Sequence, residues 1–243
     1  MSINLYQTGV SGLLAAQQQL ATVGHNIANV NTEGYNRQRA EQNAAPGIVN
    51  GGNYIGAGTY VQDITRIYDQ FSFKEQLLSQ SNLGNADSLN TNLNQLNGIM
   101  TFSGNAITGS IDRCYQAMNG IADNLGLRSI ALSQAEIIAS DFNTLNANFD
   151  QLEKSTNGEI GQIASKISQI SLEIAKINDQ VLQNKDLTVA GQPNDLLDKR
   201  DQLVSQLGEY TSVNTIQDAN GVMTVMIGNG ATLVAGITPL TVR

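Results

Sequence analysis

Apolar residues near the start of the chain recur at alternating spacings of three and four. Ile3, Tyr6, Val10, Leu13, Leu20 and Ile27 follow this rule, with Gln17 and Gly24 completing the register. Such spacing puts one residue per turn on a single face of a helix and is the a/d pattern of helices that pack on helices. Leu14, Ala16, Ala21, Val23 and Ala28 widen the stripe, whereas Asn4, Ser11, Gln18, Thr22, His25 and Asn26 fall on the other side. An amphipathic heptad helix is therefore predicted within residues 1–32. It carries no charge, because the first Asp, Glu, Lys or Arg of the chain is Glu33. A solvated surface helix normally carries charge on its outer face, and coiled coils normally select partners through charged flanking positions. A helix without either is suited to burial in an assembly of many copies.

Residues 33–68 change character. Gly34, Pro46-Gly47, Gly51-Gly52 and Gly56-Ala57-Gly58 alternate with β-prone pieces such as Thr59-Tyr60-Val61 and Ile64-Thr65-Arg66-Ile67, which predicts a connector of turns and extended segments. The helical period returns over residues 69–210, read as a long-helix bundle or coiled coil. Leu89, Leu93, Leu96 and Met100 predict a long helix with a weak middle near Gly84, and Ile111, Tyr115 and Met118 a second one. The strongest seam is Ile160, Ile163, Ile167, Ile170, Ile174, Ile177 and Val181, preceded by a stutter, with a bend or break expected at Gly158 and Gly161. Pro193-Asn194-Asp195 announces a last helix capped by Asn or Asp. Residues 211–243 switch to period two with turns at Asp218–Gly221 and Asn229-Gly230, predicting three short strands in two hairpins. The expected class is thus mainly α: an N-terminal amphipathic helix, a long-helix bundle, then a small β-rich segment. Three strands need a packing partner, so the chain is expected to continue beyond Arg243.

Composition removes most chemistry. Thirteen cations against twenty-one acids give a net charge of −8, which disfavours a phosphate-neutralising nucleic-acid surface. A single Cys and a single His exclude a disulfide framework, a Cys-rich zinc site and any motif needing two such ligands. No run is apolar enough to span a bilayer, and Met1-Ser2-Ile3-Asn4 lacks the positive start of a secretory signal. No phosphate loop, nucleophile elbow or calcium loop appears among the glycines. The run Asp195-Leu196-Leu197-Asp198-Lys199-Arg200-Asp201 is read as a solvated helix face, with Asp195 and Lys199 as an i to i+4 pair. His25, on the polar side of an uncharged helix, is given a structural role, as is Cys114. Neither catalysis nor a cofactor is expected, and no catalytic or metal residue is assigned.

Two short stretches carry a family likeness. Ser11-Gly12-Leu13-Leu14-Ala15-Ala16-Gln17, continued by Asn26-Ile27-Ala28-Asn29, Thr32 and Gly34-Tyr35, resembles the N-terminal signature of bacterial flagellar rod, hook and hook-associated proteins. Gly34-Tyr35-Asn36-Arg37-Gln38, and Asn194-Asp195-Leu196-Leu197-Asp198-Lys199-Arg200-Asp201 further on, are similar to the hook-associated branch. The resemblance implies a non-enzymatic structural subunit at the junction of hook and filament. It implies self-association in a ring, contact with the hook protein and the next hook-associated protein, and passage through the flagellar export apparatus with a chaperone and without a cleaved signal. The location implied is extracellular, in the flagellum. In such proteins the N-terminal helix pairs with a C-terminal helix of the same chain, which is expected beyond Arg243. The assembly residues expected are Ile3, Tyr6, Val10, Leu13, Leu14, Leu20 and Ile27. Asn26, Asn29, Thr32 and Gly34 suit the exit from the helix, with Tyr35 and Arg37 set to pack and pair just beyond it. Alternatives are a hook or distal rod subunit, and a secreted coiled-coil adhesin. Membrane insertion and nucleic-acid binding are not expected.

Overall fold

The computed structural model describes residues 5–50, 52–123, 125–186 and 193–242. It is mainly α. Helix α1 spans Leu5–Ala28, strands β1 to β4 follow at Gln38–Ala44, Ile48–Asn50, Asn53–Ile55 and Thr59–Arg66, and long helices α2 and α3 occupy Gln70–Asp123 and Arg128–Asp186. Helix α4 covers Asn194–Gly208, and strands β5 to β8 lie at Val213–Gln217, Met223–Ile227, Ala231–Ala235 and Thr238–Pro239. The chain divides into two compact bodies, one of residues up to Asn82 together with Ile167–Val242, the other of Leu83–Lys166.

In the first body, β1 and β4 form an antiparallel ladder from Gln38↔Arg66 to Ala44↔Thr59, with a bulge at Glu41/Gln42, and β2 and β3 make a separate short hairpin. The hydrophobic core lies elsewhere. It joins Leu77 of α2, Ile167, Ile170, Ile174, Ile177 and Val181 of α3, Leu197, Leu203, Val204 and Leu207 of α4, and Met223, Val225, Leu233 and Val234 of the C-terminal sheet. Isoleucines at three-four spacing give α3 a continuous buried face here, as the periodicity requires. Ile160 and Ile163 do not share it, being 58% and 38% exposed. The buried part of the seam coincides with the part of α3 that belongs to the first body, which begins at Ile167.

The C-terminal strands form a four-stranded antiparallel sheet in the order β5-β6-β7-β8, one strand more than the sequence predicts. Gly236, at φ 64°, turns the chain back so that Thr238–Pro239 pairs with β7. A bulge between Val225 and Met226 shifts the register, and the consecutive residues Leu233 and Val234 are both buried.

Two expected interruptions are absent. Helix α2 continues through Gly84, as expected, and then runs unbroken past Met100 and Ile111 to Asp123, joining the two helices the sequence divides, and α3 runs unbroken through Gly158 and Gly161. A glycine costs a helix interior only about 1 kcal/mol, which tertiary pairing along so long a helix offsets. In the second body, small residues Ser103, Ser110 and Cys114 of α2 and Ala131 of α3 are buried, and Asn148 of α3 donates to the Ser103 hydroxyl at 3.5 Å. Asp69 caps α2, its carboxylate accepting from the Ser72 hydroxyl at 2.7 Å and the Phe71 amide at 2.9 Å. Those bonds hold the Asp69 carboxyl below the ordinary range. The cap expected on α4 does not form: Pro193 precedes the helix with no side-chain cap bond, and the Asn194 amide instead donates to the Ile64 carbonyl at 2.6 Å. Asn194 already lies inside the helix, one residue past the capping position, and among the described residues its carboxamide oxygen is buried without a hydrogen bond.

Candidate assembly site

Helix α1 lies on β1 and β4, and the face it lays down is the polar one. Ala15 and Thr22 are its buried positions. Ser11 Oγ donates to the Thr8 carbonyl at 2.8 Å and accepts from the Thr59 amide at 3.2 Å. Gly58, at φ 100°, lies so close that a Cβ there would overlap Ser11 Oγ. Further along, the Gln19 amide donates to Gln42 at 2.6 Å.

The exit from α1 is organised by Asn26. Its Oδ1 accepts from the Tyr35 hydroxyl at 2.7 Å and the Gln38 amide at 2.8 Å, and its Nδ2 donates to the Gln38 carbonyl at 2.9 Å. Asn29 donates to the His25 carbonyl at 3.0 Å, and the Thr32 hydroxyl reaches Asn29 Oδ1 at 3.2 Å. Tyr35 meets the His25 ring edge-on at 5.6 Å. Gly34, at φ 78°, permits the sharp turn and places the chain 3.1 Å from Gln202 Cβ, measured from where a Cβ would stand. Arg37 is exposed, and among the described residues it makes no ion pair, although its carbonyl accepts from the Ile67 amide at 2.8 Å. Gly12 has open space where a side chain would project.

The apolar stripe is on the opposite side. Tyr6 is 74% exposed, Leu13 62%, Leu14 56%, Leu20 73% and Ile27 68%, while Val10 is half-buried and Ile3 lies outside the described residues. Along its edge a groove of about 830 Å³ opens between α1 and β1, with Val23, Ile27, Val30, Tyr35, Ala40 and Ile67 in its walls. Isolated exposed leucines are ordinary on protein surfaces. A continuous stripe along a helix without charge is not, and it marks an interaction surface.

The acidic run of α4 is no solvated face. Asp198 is 5%, Arg200 0% and Asp201 4% exposed. Spacings of three put Asp195, Asp198 and Asp201 on one side of α4, and the connector meets them there. Asp198 accepts from the Asn36 amide at 2.9 Å and from Asn36 Nδ2 at 2.8 Å. Arg66 Nη1 donates to Asp198 at 3.0 Å and to Asp201 at 2.6 Å, with its guanidinium 4.1 Å over the Tyr68 ring. Asp195 does not pair with Lys199; it accepts from Gln38 at 2.8 Å and contacts His25 at 3.3 Å. His25 thus has a carboxylate 170 residues away, which local sequence could not reveal. Arg66 was legible only as one member of a β-prone piece, and nothing near it in sequence named its partners.

Behind this row, Arg200 Nη1 donates to Asn178 Oδ1 at 3.0 Å and to the Gly221 carbonyl at 2.7 Å. Burial lowers the Arg200 pKa, Asp201 opposing it, and burial raises that of Asp201 against the pull of Arg66. Tyr68 is pushed well above its ordinary value by burial first and the Asp201 charge second. The unfolded chain therefore releases the Tyr68 proton near pH 10 while the folded chain keeps it, so this group's contribution is present below pH 10 and lost as pH rises past it. Tyr68→Phe is expected to flatten the alkaline fall of the urea midpoint between about pH 10 and 12, with little difference below about pH 9.5; a fall as steep as in the parent would refute the assignment.

Fold and site together define a mainly helical protein whose N-terminal helix turns its polar face to its own chain and its apolar face outward. Among the described residues no helix is long and apolar enough to cross a membrane, and no group of His, Cys, Asp and Glu could hold a metal ion. Residues 93–243 match the flagellar hook-associated protein FlgK helical domain, and residues 7–36 match the flagella basal body rod protein family. The chain belongs to the FlgK helical-domain family. It is 29% identical over 238 residues to flagellar hook-associated protein 1 of Salmonella typhimurium, a match covering 97% of this chain and 43% of that protein. The protein of the same name from Escherichia coli K12 is 26% identical, with 97% and 44% covered, and that from Bacillus subtilis 23%, with 88% and 44% covered. The chain thus spans under half the length of these relatives. The flagellar hook junction protein FlgK from Burkholderia pseudomallei shares the fold, with a TM-score of 0.58 at 23% identity over 70% of this chain and 30% of that one.

Proposed function

We propose that this chain is part of a structural subunit at the junction between hook and filament of a bacterial flagellum, self-associating in a ring and catalysing nothing. The observation that carries the reading is the outward stripe of α1. Tyr6, Val10, Leu13, Leu14, Leu20 and Ile27, with Ile3 in the same register, are its assembly residues. Full burial of one Leu or Ile side chain contributes about 1.5 to 3 kcal/mol, so several per copy, repeated around a ring, drive association without an ion-pair code. The motif residues Ser11, Gly12, Asn26, Asn29, Thr32, Gly34 and Tyr35 shape the opposite face and the helix exit, with Arg37 left at the groove.

Residues 1–32 serve as assembly helix, 33–68 as connector, 69–210 as helical domain and 211–243 as an outer β-rich segment. The position at the junction is supported by the names of the relatives. Hook protein on one side and the next hook-associated protein on the other are the partners of this reading, with export through the flagellar apparatus, chaperone-assisted and without a cleaved signal. It uses no cofactor. Deleting the encoding gene tests it: cells are expected to carry bare hooks by electron microscopy and to lose filament protein to the medium. Normal filaments in the deletion strain would reject the junction role.

A further inference from the structure

We infer that α4 is the bracket that aims the assembly helix, and that Arg66, held by Asp198 and Asp201, is its positioning residue. The inference rests on the reading of α1 as an assembly element. Every buried member of the hydrophobic core comes from Leu77 or later, and the half-buried residues packed against it begin at Phe73, also in α2. The arm made of α1, β1 and β4 therefore contributes nothing to that core. Its side-chain links to the helical part converge on one face of one helix: Arg66 and Asn36 on Asp198, Arg66 on Asp201, Gln38 and His25 on Asp195, and the Ile64 carbonyl on Asn194.

This difference in chemistry matters mechanically. Apolar burial is non-directional, whereas charge-assisted hydrogen bonds constrain distance and angle. A single Arg66 nitrogen reaches two carboxylates nearly one helical turn apart, which fixes the end of β4 along α4 and about it. From there the path to α1 is short and stiff. Arg66 is the ladder partner of Gln38, and the Gln38 backbone exchanges two hydrogen bonds with the Asn26 side chain at the end of α1. α1 has 24 residues, so it is about 36 Å long, and a tilt of about 10° at its anchored end moves the far end by about 6 Å, more than a full turn of 5.4 Å. A stripe that must meet its neighbours in register cannot tolerate that error. The bracket sets the aim, while the stripe supplies the association energy.

The test places spin labels on cysteines at Gln17 of α1 and Lys199 of α4, both exposed, in a Cys114→Ser background, and compares the unaltered bracket with Arg66→Gln, Arg66→Lys and the triple variant Arg66→Gln/Asp198→Asn/Asp201→Asn. Arg66→Gln is expected to broaden the distance distribution at least twofold, with Arg66→Lys recovering most of the narrow one. Amide exchange over 174–181 and 223–235 is expected to stay within twofold of the parent. The triple variant removes the buried charges with their partner, so it decides the matter if Arg66→Gln alone fails to fold. An unchanged distribution, or exchange rising equally in the core, overturns the inference. In cells, Arg66→Gln is expected to lower the number of filament-bearing hooks at least fivefold. Normal filaments with a broadened distribution overturn the aiming role, whereas normal filaments after substitution of the stripe itself reject the assembly reading instead.

Discussion

Replacing Asn178 with alanine is expected to destabilise the first body by about 3 kcal/mol or more. Asn178 is fully buried and uses its whole amide. Its Oδ1 accepts from Arg200 at 3.0 Å and from the Met223 amide at 3.1 Å, and its Nδ2 donates to the carbonyls of Met223 and Gly236, both at 2.7 Å. Each oxygen faces donors and each N–H faces an acceptor, which settles the orientation of the amide. The residue therefore joins α3, α4, the start of β6 and the turn between β7 and β8 at one point. Truncation strands several of these groups without water, at about 1 to 3 kcal/mol for each buried group left unsatisfied, and leaves the Arg200 charge with the Gly221 carbonyl as its remaining hydrogen-bond partner. Urea unfolding followed by circular dichroism measures the change. A loss under about 1 kcal/mol would show that the network is not the keystone its geometry describes.

The second large effect separates assembly from folding. Leu13→Asp and Leu20→Asp alter side chains 62% and 73% exposed, so each is expected to change stability by no more than about 0.5 kcal/mol, the ordinary range for surface positions. In an assembled ring the same carboxylate would be buried among apolar groups without a partner, at a cost of several kcal/mol per copy. Filament-bearing hooks are expected to fall at least tenfold, with the variant protein still folded and still exported. Normal filament numbers for both variants would remove the stripe from the assembly surface. Loss of folding would show instead that the stripe is packed within its own chain.

Much of the architecture was written in periodicity. The three-four spacing of Ile167 to Val181 announced a buried helical face, and the structure buries it. The charge-free stripe of α1 was equally plain, and so was the change to short strands after Tyr210. What periodicity misjudged was extent. It placed Ile160 and Ile163 in the same seam, since a pattern records what a residue can do and not how far its partner reaches. It also set a bend or break at Gly158 and Gly161 where α3 continues, because a local penalty of about 1 kcal/mol is small beside the packing of a whole face.

The polar clasp was illegible for a different reason. Asp195, Asp198 and Asp201 are spaced for one helix face, and Arg66 lies more than 120 residues earlier. A charged helical run reads as solvated unless something distant covers it, and charge pairing carries no period by which the distant partner could be found. Asn26 illustrates the middle case: its place in a motif was visible, but the three bonds it makes depend on where the turn at Gly34 returns the chain. The helical class, the uncharged amphipathic first helix and the poverty of catalytic groups were all legible before folding, because these depend on spacing and composition. Folding alone settled that the polar face of that helix is the one laid against its own chain, that its apolar face is exposed, and that buried carboxylates on α4 bind Asn36 and Arg66 of the connector. Those choices turn on pairings between segments far apart in the chain, and such pairings exist only once the chain has folded.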